Sequence, residues 1–302
     1  MKGEIDMSLL FEGVSAAVTT PFKDGEVDLK SFERHLQFLK ENNIQAFIIN
    51  GTTGESSTLT DFEKRQTIEV AVKVADKDIP VIAGTGSNDT KATIDATLEA
   101  QELGVDGVLI ITPYYNKTTQ KGALAHFRAI ADAVVDLPII LYDVPSRTGT
   151  SLTPEQVGIL AEHPNIVALK DAVGNLDYTR AVLDNVPDDF AVYSGNDDLN
   201  YDIIALGGKG AISVTANILP KEVHDLCRLA LDGHTEEAQQ LNYKLEDINR
   251  DLFDEVNPIP VKYLVHKMNR CALSYRLPMV PPSEESAELL DTYLGLIEKY
   301  TI

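Results

Sequence analysis

Eight short apolar runs, spaced about one strand plus one crossover helix apart, constrain this chain more than any other feature. They begin near Val14 (VSAAVTT), Ala46 (AFIIN), Pro80 (PVIAGTG), Gly107 (GVLIIT), Pro138 (PIILYDV), Ile166 (IVALK), Ala191 (AVYSG) and Gly210 (GAISVT). Their seven intervals average about 28 residues, which suits parallel pairing, because parallel strands need a connection of roughly a dozen residues or more. The segments between them carry helix signals. Asp28 is placed to cap a helix whose Phe32, Leu36 and Leu39 share a face. Thr60 to Glu63 reads as a capping box, and so do Thr153 and Gln156, with Pro154 at the first helical position. The helix from Thr90 to Leu103 is expected to stop at Gly104. Eight such units predict an α/β fold, a (β/α)₈ barrel. The competing arrangement is a doubly wound open sheet. No dinucleotide fingerprint speaks for it, since Gly84-Thr85-Gly86 lacks the third glycine and reads as a loop.

The pattern changes after Gly210. Leu219 to Leu231, His234 to Phe253, Pro260 to Met268 and Ser283 to Tyr300 read as helices. The first completes the barrel and the others form an appendage. Residues 1–232 are therefore expected to be the catalytic barrel and 233–302 a C-terminal helical region.

Composition excludes several function classes. A net charge of −21 argues against nucleic acid and anionic membranes, which attract basic patches. No apolar run approaches the roughly 18 residues of a membrane helix. The N-terminus, MKGEIDMSLLFEG, lacks the apolar core of a secretory signal. Cys227 and Cys271 have neither disulfide-framework nor zinc-site spacing, so a reducing cytoplasm is the expected location.

In a barrel of this kind, functional groups gather at the C-terminal ends of the strands. The ends here carry Gly51-Thr52-Thr53-Gly54-Glu55-Ser56, Thr112-Pro113-Tyr114-Tyr115-Asn116, Tyr142-Asp143-Val144-Pro145-Ser146-Arg147, Lys170-Asp171, Ser194-Gly195-Asn196-Asp197 and Ser213-Val214-Thr215-Ala216-Asn217. Lys170 ends an apolar strand, where a charge is costly unless paired, snorkelling or used. Burial disfavours an ammonium group, and a free amine attacks carbonyls to form a Schiff base. A nearby tyrosine moves protons in such a step. Arg147 suits a carboxylate.

Each feature has a plainer reading. Lys170 could cap its strand and pair with Asp171. Tyr114 and Tyr115 could be interface aromatics, Arg147 a solvated loop residue and the G-T-T-G turn only a tight loop. Asp197 and Asp198 could hold a metal, but capping the helix that runs to Leu206 is the simpler expectation. The six histidines are scattered without metal-ligand spacing. Neither a catalytic metal nor an organic cofactor is expected.

These motifs together resemble a known family. GTTGES at Gly51–Ser56, PYYNK at Pro113–Lys117, YDVPSRTG at Tyr142–Gly149, LKDAVGN at Leu169–Asn175, YSGND at Tyr193–Asp197, AISVTAN at Ala211–Asn217 and NPIPVK at Asn257–Lys262 are similar to the 4-hydroxy-tetrahydrodipicolinate (dihydrodipicolinate) synthases, of the pyruvate-dependent class I aldolase and N-acetylneuraminate lyase group. The resemblance spans essentially the whole chain. It implies a lyase in which Lys170 forms a Schiff base with pyruvate, whose enamine adds to L-aspartate-4-semialdehyde. The product, 4-hydroxy-tetrahydrodipicolinate, enters diaminopimelate and lysine synthesis. By the same matching Tyr142 transfers protons, in a relay with Thr52 and with Tyr115 from a neighbouring subunit. Thr53 binds the pyruvate carboxylate, Gly195 and Ile212 contact substrate through their backbones, and Arg147 binds the semialdehyde carboxylate. The family is usually a homotetramer, a dimer of tight dimers. The alternatives are another pyruvate-dependent aldolase, acting on N-acetylneuraminate or keto-deoxy sugar acids, and, more distantly, a barrel that binds without turnover.

The chain departs from the family beside the site lysine and in a second pocket. Asp143 stands where the synthases usually carry asparagine, and Asp171 where many carry glutamate. Either carboxylate would oppose loss of the Lys170 proton unless it points away, so each is expected to pair with an arginine or a backbone donor. In the pocket where lysine inhibits some members, Ser56, Ser57, Asn88 and Tyr114 match. Asp61 and Lys64 stand where lysine-sensitive enterobacterial-type members have histidines, and Ala92 where they have a carboxylate. L-lysine is therefore expected to inhibit weakly or not at all. Strong inhibition at sub-millimolar lysine in a steady-state assay would overturn this expectation.

Overall fold

The computed structural model describes residues 9–134 and 136–302. The N-terminal segment read above as lacking a secretory signal falls mostly in residues 1–8, outside the described residues. Eight parallel strands close into a barrel: β1 (Gly13–Ala17), β2 (Ala46–Ile49), β3 (Val81–Gly84), β4 (Gly107–Ile111), β5 (Ile139–Asp143), β6 (Ile166–Asp171), β7 (Ala191–Ser194) and β8 (Gly210–Ser213). Each pairs with the strand before and after it, and β8 returns to β1 with Gly13 opposite Gly210. Closure excludes the open-sheet alternative.

The helices lie between the strands: α1 (Leu29–Glu41), α2 (Asp61–Ala75), α3 (Thr90–Glu102), α4 (Gln120–Ala133), α5 (Pro154–Ala161), α6 (Leu176–Leu183), α7 (Asn200–Ala205) and α8 (Pro220–Leu231). Their starts follow the local chemistry. The Asp28 carboxylate accepts from the Ser31 N–H, and both Thr60 with Glu63 and Thr153 with Gln156 form complete capping boxes. Gly104 follows α3 with φ of +86°, a backbone conformation that favours glycine.

Alternate residues along the strands feed two cores. Ile48, Ile82, Leu109, Ile140, Tyr142, Ala168 and Tyr193 fill the barrel interior. Ile49, Val81, Ile110, Leu141, Leu169 and Val192 face the helices. Beyond α8 come α9 (Thr235–Asp251), α10 (Ile259–Lys267) and α11 (Glu284–Asp291). Leu245, Leu252, Leu264 and Met268 from these helices join the outer core. The helix expected from Ser283 to Tyr300 is broken: α11 ends at Asp291, and only short turns follow at Leu294–Ile297 and Glu298–Tyr300. The Tyr293 hydroxyl donates to Asp251 Oδ2 at 2.6 Å, and Gly295 weakens the segment further. No helix among the described residues is long and apolar enough to cross a membrane.

Candidate active site

A cavity of about 470 Å³ opens at the C-terminal end of the barrel. Thr52 and Thr53 line it after β2, Tyr142 and Arg147 at and after the end of β5, Lys170 on β6, and Gly195 after β7. The structure thus brings together six of the eight residues singled out in the sequence.

The placement of Lys170 depends on strand register. The pairing of β5 with β6 shifts by one residue: Ile139 opposes Ile166, but Ile140 opposes Ala168. The extra residue, Val167, reverses the in-and-out alternation after it. Lys170 therefore turns inward beside Tyr142, its Cα partner on β5. Its Nζ lies 4.4 Å from the Tyr142 ring centroid. Lys170 is buried and makes no ion pair among the described residues, so it does not pair with Asp171.

The same register turns Asp143 and Asp171 away from the cavity, into the layer between strands and helices. Asp143 Oδ2 accepts from the Leu152 N–H at 2.9 Å, the Ser151 hydroxyl at 2.7 Å and the Tyr178 hydroxyl at 3.2 Å. Asp171 accepts from the Val173 N–H at 3.0 Å and the Thr179 hydroxyl at 2.6 Å. The partners are backbone and hydroxyl donors, not an arginine. Burial is the leading cause of the shift in both carboxyls: it raises Asp143 to about 6 and moves Asp171 upward from the ordinary aspartate value. Their hydrogen bonds act in the opposite direction.

Gly195 sits against the lysine. A Cβ there would lie 3.1 Å from Lys170 Cε and 2.8 Å from the Ala172 Cβ, so a side chain at this position would crowd the amine. Beneath the threonine loop, a Cβ on Gly84 would lie 2.4 Å from the Asn50 carbonyl oxygen. The missing side chain lets β3 pack under the loop that carries Thr52 and Thr53.

That loop is a run of tight turns. Gly54 N–H donates to Gly51 O at 3.2 Å, and Glu55, at φ of +52°, donates its N–H to Thr52 O at 3.0 Å. The loop is also pinned from the C-terminal region. Asn257 Nδ2 donates to Thr53 Oγ1 at 3.0 Å, and Lys262 on α10 forms a buried ion pair with Glu55. The Arg276 guanidinium pairs with Glu63 at the start of α2 and donates to Thr58 O at 2.9 Å. The NPIPVK match carried no role for Asn257 or Lys262 at the level of sequence. Its one local signal was a lysine within an otherwise apolar stretch, which must find an anion if it is buried.

Arg147 stands exposed at the rim, after the short helical turn Pro145–Thr148. Its Nη2 donates to Asn257 O at 3.2 Å, which fixes the guanidinium by one donor of five. Ile212 is buried on β8 within the barrel interior, and Val214 lines the cavity at that strand's end. Tyr115 does not reach the cavity within one chain. It is 89% exposed, at φ of +65°, and points off the molecule. Tyr114, half-exposed, lines a second cavity of about 810 Å³ together with Ser56, Ser57, Asp61, Lys64 and Ala92.

Asp197 does not cap the helix after it. Its Oδ2 accepts from the Val214 and Thr215 N–H groups at 2.8 and 2.9 Å, and its Oδ1 from Asn200 Nδ2 at 2.9 Å. Two consecutive backbone donors at the end of β8 outweigh a cap, because they are buried and have no water to turn to. Among the described residues no cluster of His, Cys, Asp and Glu could hold a metal ion.

A profile of the Dihydrodipicolinate synthetase family matches residues 10–295. The chain belongs to that family. It is 50% identical over 288 residues to the 4-hydroxy-tetrahydrodipicolinate synthase of Macrococcus caseolyticus, covering 95% of this chain and 97% of that one. The crystal structure of dihydrodipicolinate synthase from Thermotoga maritima superposes with a TM-score of 0.94 at 39% identity, covering 96% of this chain and 99% of that one. A monomeric dihydrodipicolinate synthase variant superposes equally well, with a TM-score of 0.94 at 40% identity over 97% of this chain and 98% of that one. The barrel geometry brings the lysine on β6, the tyrosine on β5 and the threonine loop after β2 to one cavity.

Proposed function

We propose that this protein condenses pyruvate with L-aspartate-4-semialdehyde to give 4-hydroxy-tetrahydrodipicolinate, which feeds diaminopimelate and lysine synthesis. One observation carries the reading: a buried amine with no ion-pair partner among the described residues, Lys170, lies against a tyrosine inside a cavity with an arginine at its rim.

The steps follow from those groups. The Lys170 amine adds to the ketone carbon of pyruvate, and the carbinolamine loses water to give the imine. Tyr142 passes the protons that this addition and dehydration require. Thr52 extends the relay, and Thr53 holds the pyruvate carboxylate. Loss of a methyl proton gives the enamine, whose carbon attacks the aldehyde and forms the new C–C bond. The amino group of the second substrate then displaces Lys170 from the imine carbon, closing the ring and freeing the enzyme. The imine is itself the electron sink, so the sequence calls on no separate cofactor. Gly195 and Ile212 line the path through their backbones.

The overall charge of −21 repels pyruvate and the carboxylate of the semialdehyde, so attraction of these carboxylates must be local. Arg147 provides it for the semialdehyde. Arg147→Ala is expected to lower kcat/KM for the semialdehyde by about 10- to 100-fold, the cost of losing hydrogen bonds to a charged group. The pyruvate-dependent adduct should form as before. Unchanged kinetics for the semialdehyde, or a gain in cleavage of N-acetylneuraminate, would favour a sugar-acid aldolase instead.

The reading also includes a cytoplasmic homotetramer in which Tyr115 crosses to the neighbouring active site. The exposure of Tyr115 supports this arrangement. A fully active monomer in sedimentation velocity would sink it. The direct test of the chemistry is borohydride reduction in the presence of pyruvate. A single adduct mapped to Lys170 is expected, and no adduct on any residue would remove the mechanism.

A further inference from the structure

Asn257 touches both halves of the proposed substrate site through different atoms. Its side-chain Nδ2 donates to Thr53 Oγ1 at 3.0 Å, and its backbone oxygen accepts from Arg147 Nη2 at 3.2 Å. The residue is buried, and its Oδ1 has no hydrogen-bond partner among the described residues. A buried amide with an unpaired oxygen costs stability that an apolar side chain would not. Among the described residues, the one hydrogen bond the amide makes is the bond to Thr53.

The direction of that bond decides what the Thr53 hydroxyl can do. A hydroxyl has one hydrogen and two lone pairs. Asn257 fills a lone pair with an N–H and offers no acceptor there, so the hydroxyl hydrogen must turn elsewhere. It meets no acceptor among the described residues, and Thr53 lines the active-site cavity. The carboxylate of pyruvate is an acceptor only. A threonine that spent its hydrogen on a protein acceptor would meet that carboxylate with a lone pair and repel it. A threonine whose lone pair is already occupied keeps its hydrogen for the ligand.

We propose that Asn257 is a positioning residue for pyruvate, whose Nδ2–H occupies Thr53 Oγ1 and thereby commits the Thr53 hydroxyl hydrogen to the substrate carboxylate. Its contact with Arg147 is of another kind, because a backbone oxygen is supplied by any residue at this place. The side chain of Asn257 therefore serves the first substrate and its backbone the second. This role rests on the reaction proposed above, in which Thr53 holds the pyruvate carboxylate.

The test measures kcat/KM for each substrate in two variants. Asn257→Asp keeps the size of the side chain but replaces the donor by an acceptor, which draws the Thr53 hydrogen away from the substrate. It is expected to lower kcat/KM for pyruvate about tenfold or more, the scale of one hydrogen bond to a charged group. Asn257→Ala only frees the hydroxyl among its three staggered positions and should lower it about threefold. In Asn257→Ala, kcat/KM for the semialdehyde should stay within about twofold, because the backbone oxygen still holds Arg147 and the enamine is already fixed on Lys170. A purely structural role predicts the reverse order, with the isosteric aspartate milder than the truncation. That order would overturn the proposal, as would an equal fall for both substrates or no change for either. Should Asn257→Asp fail to fold, the Thr53→Val background decides. Adding Asn257→Ala there should change kcat/KM for pyruvate less than about 1.5-fold, since no hydroxyl is left to orient, and a full threefold loss would overturn the role. Failure of the underlying reaction shows differently, as a wild-type protein that gives no pyruvate-dependent borohydride adduct.

Discussion

Lys170→Ala is expected to abolish condensation, lowering kcat by at least about 10⁴, the scale seen when the nucleophile of an interdependent catalytic set is removed. Lys170 is the one lysine among the described residues that line the cavity. Arg147 carries a delocalised guanidinium, which does not form a Schiff base. Lys262 is committed to Glu55 in a buried ion pair. Lys170→Arg should be as inactive as the alanine variant, because a guanidinium does not replace the nucleophilic amine. The fold should survive both changes. Lys170 makes no ion pair among the described residues, and its removal leaves no opposite charge stranded. Intact mass after borohydride treatment with pyruvate separates the cases: one adduct on the wild-type protein and none on either variant. Turnover by Lys170→Ala within about 100-fold of wild type would sink covalent catalysis at this residue, since general acid–base help alone accounts for effects of that size.

What the sequence made legible was mostly local. Thr60, Thr153 and Asp28 cap their helices as expected, because a cap involves residues three apart and needs no knowledge of the rest of the fold. The strand starts are correct to within a residue for the same reason: each is an apolar run with a turn on either side. The setting of Lys170 was not legible. Counting alternation from Ile166 would turn the lysine outward, next to the helices, and leave Leu169 facing the barrel interior. The register shift beside Val167 reverses this, and a register shift belongs to a pair of strands rather than to either sequence alone. It also answers the question raised by Asp143 and Asp171. With Lys170 inward, both carboxyls face the helices, where Tyr178, Thr179 and the Leu152 N–H receive them. Asp197 went the other way. An aspartate at a helix start reads as a cap, but the unpaired N–H groups it satisfies belong to Val214 and Thr215, 17 and 18 residues along the chain. Tyr115 is silent in a single chain, since its expected partners lie on another subunit.

The largest stability effect is expected at Lys262, which looks remote from the chemistry. Lys262 and Glu55 have side chains only 2% exposed each and form an ion pair with each other. The ammonium also lies 4.1 Å from the Phe22 ring centroid and 5.0 Å from that of Tyr275. Burial lowers the lysine's proton affinity, and Glu55 opposes that shift. Such a pair contributes little net stability relative to an apolar replacement, but breaking it strands a charge. Lys262→Met should therefore destabilise the protein by about 3–5 kcal/mol, read as a lower denaturant midpoint at unchanged slope. The double variant Lys262→Met/Glu55→Gln should recover most of that loss, because neither partner is then a buried ion. Function follows from position. Glu55 directly follows the turn that carries Thr52 and Thr53, and its left-handed backbone is held by this contact together with the Arg276 N–H at 3.5 Å. Loosening it should raise KM for pyruvate more than it lowers kcat, since Lys170 and Tyr142 lie on other strands. A single variant within about 1 kcal/mol of wild type, or a double variant worse than the single, would mean that the pair is not what holds the threonine loop.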